Sequence, residues 1–298
     1  MANTAVADAD SGLSRAQLAA RHGLTVAGAR PTLVAYVKQV WSYRHFITTY
    51  AHAKAVAAFS QARLGQLWQV LTPLTNVAVY YLIFGYIIGT SRGVPNFIAY
   101  LCVGVFVFNF TQTVALGGTQ AITSNLGLVR ALHFPRASLP LAVTLTQFRN
   151  LLYAMAVLVV IVLATGEPIT VQWLLAAPAM ALMVIFNAGL AMVLARLGSK
   201  LTDVKQVMPF VMRTWMYGSG VLYSVKAFEE NLPALLVHVV HVNPLLIYIE
   251  LVRHALLEKT PLTSSAPQLW LLAVVWAAVM GVGGFVYFWR GEQEYGRG

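Results

Sequence analysis

Chemistry in this chain has to come from few ionisable side chains, because its 298 residues hold 20 Lys and Arg, 10 Asp and Glu, and 7 His. His238 and His241 stand three apart, which places both on one face of a helix, yet no third ligand is near them in sequence and no metal site is expected. Asp203 has no second acid beside it, so the paired carboxylates of a glycosyl-transfer site are not visible. Cys102 is the single cysteine, which excludes an intramolecular disulfide and a cysteine-cluster metal site. No G-x-x-x-x-G-K-[ST] run occurs, and no Gly is followed by Lys, so the chain cannot cradle nucleotide phosphates in a P-loop. Glu250, Arg253 and His254 lie at i, i+3 and i+4, a spacing that suits a local ion pair on a helix face or an element of a gate. Arg149 and Arg213 fall in or beside apolar runs, where an arginine either snorkels to the membrane surface or meets an anionic head group.

The elements that must position these residues follow from hydropathy. A chain that is 58% hydrophobic, 10% charged and of mean hydropathy +0.68 exposes too much apolar surface for water and reads as an integral membrane protein. Crossing the roughly 30 Å hydrocarbon core takes about 20 apolar residues as helix, with every backbone group paired inside the segment. Six windows qualify: Trp68–Gly89, Phe97–Thr119, Leu141–Thr165, Val171–Leu197, Val207–Val225 and Leu269–Trp289. The expected fold is an all-α integral membrane protein with six transmembrane helices, an N-terminal amphipathic interface helix and a re-entrant helical pair before the last span. Residues 1–35 read as a flexible N-terminus, 36–68 as the interface helix, 69–290 as the membrane domain and 291–298 as a tail. No acid falls inside the six windows, which disfavours coupling to a proton or sodium gradient.

Charge sets the expected orientation. Lys and Arg gather before the first window, after the second (Arg130, Arg136), after the fourth (Arg196, Lys200, Lys205) and after the sixth (Arg290, Arg297). The first connection holds only Arg92, and the third has Glu167 without a base. The positive-inside rule then places both termini in the cytoplasm, and the net charge of +10 reflects topology and anionic lipid rather than nucleic acid. The start of the chain lacks an apolar run behind a basic one, so a cleavable signal peptide is not expected.

Three stretches outside the windows stand out. From Tyr36 to Trp68, bases and aromatics mix as in a helix at the headgroup level; it is a passive anchor or a moving gate element, with Arg63 and Trp68 at its end. Asn231-Leu232-Pro233 and Asn243-Pro244 are each helix-start signals, predicting short helices over Pro233–His241 and Pro244–Glu258 on the external side. Leu126–Pro140 is a basic cytoplasmic connection between two spans, punctuated by Pro135 and Pro140. Within the spans, Tyr80, Tyr81, Phe84, Phe106 and Phe110 are either core or the lining of a path for sugar rings, which use aromatic faces and hydroxyls.

The run Asn125, Leu128-Val129, Arg130, Phe134-Pro135-Arg136 and Leu139-Pro140 resembles the segment between the second and third spans of ABC-2 type permeases, the membrane half of ATP-driven polysaccharide exporters. Arg63-Leu64-Gly65-Gln66-Leu67-Trp68 with Leu71-Thr72-Pro73-Leu74, Asp203-Val204-Lys205, Ser219-Gly220-Val221-Leu222-Tyr223 and Asn243-Pro244-Leu245 are similar to further motifs of that family in the same order. Gly220 stands where the family usually has Pro, and Thr202 where it usually has Arg. The likeness implies a homodimer served by two cytoplasmic nucleotide-binding subunits, which carry the ATP and Mg. Leu126–Pro140 would dock in a groove of that partner, with Leu128, Val129 and Phe134 as apolar anchors and Arg130 and Arg136 as rim. Asp203 and Lys205 would make a second cytoplasmic contact, and Arg149 and Arg213 would meet a lipid-diphosphate head group. The implied cargo is a lipid-linked polysaccharide at the plasma membrane, with the galactan exporters of mycobacteria the nearest likeness. O-antigen, teichoic-acid and small-molecule or drug exporters are the alternatives, and the permease itself is not an enzyme.

Overall fold

The computed structural model describes residues 31–59, 67–89, 94–227 and 233–295. Its framework is four helices long and apolar enough to cross a membrane: α4 (Phe97–Gln120), α6 (Ser138–Ala164), α7 (Ala176–Lys200, led by a 3-10 turn from Val171) and α11 (Ala266–Arg290). Their ends follow local chemistry. The Asn96 side chain accepts from Ala99 N to start α4. A capping box joins Ser265 with Gln268 at the start of α11. In α4 78% of the apolar window is buried, against 22% in α11, so α4 is the hub and α11 the helix most open to surroundings. The hub meets both α6 and α7.

Helices α7 and α11 cross at their closest through glycines. A Cβ on Gly189 would collide with the Met280 carbonyl, and one on Gly284 with the Gly189 carbonyl. Small residues let backbones approach where lipid offers no hydrophobic drive to association.

The remaining elements are shorter. The stretch predicted as one interface helix is two, α1 (Leu33–Ser42) and α2 (Arg44–Phe59), broken at Tyr43. Residues 60–66, including Arg63, lie outside the described residues. The window Trp68–Gly89 holds α3 (Trp68–Tyr80), which passes into a π-helical stretch, Tyr81–Ile87. Helix α5 (Leu126–Ala131) lies in the connection between α4 and α6.

The window Val207–Val225 differs most from expectation. Its helix, α8, covers Val204–Tyr217 and ends in a turn at Gly218, with Gly220 at a φ of +59°. A positive φ suits Gly and strains other residues, so this position unwinds a segment that composition alone reads as a span. Beyond it, α9 (Ala234–His241) and α10 (Pro244–Leu256) are bent by 61°, which counts as a fifth span or a re-entrant pair.

Candidate functional site

The Leu126–Pro140 connection is tied to both ends of the described chain. Tyr36, on α1, donates its hydroxyl proton to Glu292 Oε2 at 2.6 Å. The same hydroxyl accepts from Ala137 N at 3.1 Å. Glu292 Oε1 accepts from Arg136 N at 2.9 Å, and the Arg136 guanidinium reaches the Glu292 carbonyl. Burial pushes the Glu292 carboxyl above the ordinary carboxylate range, while the Arg136 N–H and the Tyr36 hydroxyl pull it back. Burial, reinforced by the Glu292 charge, likewise pushes the Tyr36 phenol up.

Helix α2 holds the other edge of this segment. Tyr50 donates to Asn125 Oδ1 at 2.5 Å, Asn125 Nδ2 donates to Ala121 O, and Tyr43 donates to His133 O at 3.1 Å. Phe134 is buried with its ring 5.3 Å from that of Phe46, and Val129 and Pro135 are buried too. The expected anchors Val129 and Phe134 are therefore buried within this chain, Phe134 against Phe46 of α2 and both in a cluster that includes Tyr36 and Phe288. Leu128 is half-buried, and Gly127, Arg130, Ala131, Leu132 and His133 form the exposed surface. Sequence reasoning missed Tyr36, Phe46 and Glu292, since no local pattern marks a partner 256 positions away.

At the opposite end a second cluster repairs the unwound segment after α8. Arg253, on α10, is buried and donates to three carbonyls: Tyr100 at 3.2 Å, Gly220 at 2.9 Å and Val221 at 3.0 Å. Its guanidinium carbon lies 3.3 Å from the centre of the Tyr100 ring, and Tyr100 donates to Tyr223 O at 3.2 Å. Asn243 caps α10 by accepting from Leu245 N, and donates to Gly218 O and Ser219 Oγ. Backbone groups without helical partners are thus satisfied by side chains, as a water-poor surrounding demands. The spacing of Glu250 and Arg253 had suggested a local ion pair. Glu250 instead accepts from the N–H and hydroxyl of Thr263, because α10 is buried nearly all round and each side chain finds a different wall. His254 is half-buried. Among the described residues no set of three His, Cys, Asp or Glu gathers to hold a metal.

The other predicted residues are scattered. Phe106 and Phe110 are buried and line one cavity of about 350 Å³, with Trp68 at its edge. Tyr80 and Phe84 contact each other with ring centres 6.5 Å apart, and Tyr81 lies against Phe97, so the five aromatics do not line one surface. Arg149 lines a neighbouring cavity, whereas Arg213, Asp203 and Lys205 are exposed on α8 and its lead.

A helical scaffold with four long apolar helices, a short helix in the connection between two of them and a bent helical pair before the last defines a multi-pass membrane protein. The profile of the ABC-2 type transporter family matches residues 48–257, and the chain belongs to that family. It is 23% identical over 199 residues to the O-antigen export system permease protein RfbA of Myxococcus xanthus, which covers 67% of this chain and 76% of the relative. It is 23% identical over 202 residues to the polysialic acid transport protein KpsM of Escherichia coli, again covering 67% and 76%.

Proposed function

We propose that this chain is the permease subunit of an ATP-driven exporter that moves lipid-linked polysaccharide out of the cytoplasm across the plasma membrane. It works as a homodimer with two nucleotide-binding subunits, which hold the ATP and Mg. The observation that carries this reading is the largely exposed helix α5, in a connection whose flanks are held by α1, α2 and the residues after α11, in a chain that itself lacks a P-loop. A push on that helix is transmitted to three elements at once. Relatives named for O-antigen export and polysialic acid transport support a polysaccharide cargo.

The finer reading keeps six crossings, with α3 and α8 completing the four long helices, and both termini inside. It rests on the distribution of Lys and Arg and on the apolar faces of α3 and α8, where Leu71, Val79, Phe210 and Val211 remain exposed. These faces suit a second copy of the chain. A galactan cargo is supported by the likeness to mycobacterial permeases and by an Arg- and Ala-rich composition of the kind that GC-rich genomes encode.

Depletion of the permease in its host, followed by analysis of lipid-linked glycans on the cytoplasmic side, tests the proposal. Accumulation of an undecaprenyl-type glycan is expected, and an unchanged glycan pool would sink it.

A further inference from the structure

Between α2, α3, α4 and α6 lies the cavity of about 350 Å³, and every polar side chain that lines it is uncharged. Asn109, Gln147 and Asn150 bring amides to it, and Trp68, Phe106 and Phe110 bring rings. One amide is under-used. Asn150 Nδ2 donates to Gln147 Oε1 at 3.0 Å, but Asn150 Oδ1 is buried without a hydrogen-bond partner among the described residues. An orphaned amide oxygen is costly, and a turn of the Asn150 side chain that brings this oxygen to the cavity wall would let a ligand hydroxyl relieve it.

A second cavity of about 300 Å³ shares Ala55 and Asn150 with the first. It carries Arg149 and His52, and no carboxylate lines either cavity. The chemistry therefore changes across Asn150, from a neutral chamber of rings and amides to a basic one. A sugar fits the first, since its C–H face lies on an aromatic ring while its hydroxyls exchange hydrogen bonds with amides. A phosphate fits the second, because a guanidinium presents a fork of donors to its oxygens.

We propose that these joined cavities form a subsite for a glycosyl phosphate, with the first sugar of the cargo beside Asn109, Gln147 and Asn150 and its phosphate linker beside Arg149 and His52. The proposal rests on the export reading above and adds where the junction between lipid and glycan is held. It also gives Arg149 and Arg213 different roles, since Arg213 lines neither cavity.

Binding to the permease–ATPase complex in nanodiscs, by isothermal titration, tests this with two probes: farnesyl diphosphate, and farnesyl diphosphate carrying one glucose. The glucosylated probe is expected to bind about tenfold more tightly. Gln147→Leu should erase that gain while leaving farnesyl diphosphate within about twofold of wild type, and Arg149→Ala should weaken both probes about tenfold. Asn109→Ala, a smaller change, serves as a further amide variant should a Leu variant fail to assemble. A sugar gain that survives the amide changes, or Arg149→Ala with unaltered binding, would overturn the subsite and leave the export reading standing. Binding of neither probe by a complex that still hydrolyses ATP would overturn both.

Discussion

Arg253 shows what a single side chain does for this fold. Three carbonyls from two separate elements point at one buried guanidinium. Arg253→Met removes the donors and leaves the carbonyls buried, a loss of roughly 2–4 kcal/mol. Arg253→Lys recovers only part of this, because an ammonium lacks the planar fork. Gly104→Ala should act through the same residue, since its Cβ would sit 2.5 Å from the guanidinium and 2.7 Å from Val221 O. Thermal unfolding of the detergent-purified permease reads all three, and an Arg253→Met variant as stable as wild type would contradict the assignment. Glu292 makes a prediction about pH. Its carboxyl is raised in the folded protein by burial, so the folded chain holds that proton to higher pH than the unfolded chain does. The stability it contributes is complete below the unfolded value and is lost as pH rises through the folded one. Wild type should therefore gain thermal stability relative to Glu292→Gln as pH is lowered from about 7 to about 5. A difference that stays constant, or shrinks, would mean the carboxylate is held mainly by Arg136.

At the scale of elements, the segment around α5 divides into an inner and an outer face. Phe134 packs on Phe46 inside the chain, while Leu132 is 52% exposed beside exposed Arg130 and His133. Phe134→Ala should therefore destabilise the permease itself, by about 3 kcal/mol. Leu132→Asp should spare the fold and reduce co-purification of the nucleotide-binding subunit, by placing a carboxylate in the centre of the contact. Thermal unfolding and pull-down together separate the two, and the reverse pattern would return Phe134 to the partner's groove. This division marks the limit of what the sequence discloses. The position of a basic, proline-bounded segment between two apolar runs is legible, as are the Asn243-Pro244 helix start and the four long helices, because each is a local pattern. Which side chains of the segment face inward depends on Tyr36, Phe46 and Glu292, which no local pattern connects to it. Arg253 misleads for the same reason. Glu250 is its neighbour in sequence, but the carbonyls it serves lie on α4 and after α8. Hydropathy likewise sees apolar content at Val207–Val225 and is blind to the turn that Gly220 permits.

For the whole molecule, the architecture turns on how many times the chain crosses the membrane. Among the described residues four helices have the length, and the bent pair α9–α10 makes a fifth only if both parts lie along one path. Helix α8 has 14 residues, about 21 Å at 1.5 Å per residue, so it reaches across only with the turn that follows it. The backbone accounting favours that path. Arg253, Tyr100 and Asn243 satisfy the carbonyls of Gly218, Gly220, Val221 and Tyr223, work that water would do for free if the turn lay at an exposed surface. On this argument Asp203 and Lys226 lie on opposite sides of the membrane. Cys102 is buried and is the only cysteine, so Cys102→Ala gives a background for single reporters at Ser124, Glu167, Asp203, Lys226 and Lys259. In intact cells a membrane-impermeant maleimide should label cysteines at 167, 226 and 259, and those at 124 and 203 only after permeabilisation. Labelling of 203 and 226 together, on one side, would make α8 a helix that dips into the bilayer and returns. Because Glu292 bonds Arg136 and Tyr36, it lies on their side of the membrane, so an uncrossed α8 would require the bent pair α9–α10 to make the remaining crossing. The label at 226 thus decides whether α8 or the α9–α10 pair carries that crossing, while the latch at Tyr36, Arg136 and Glu292 stays on the side of residue 124.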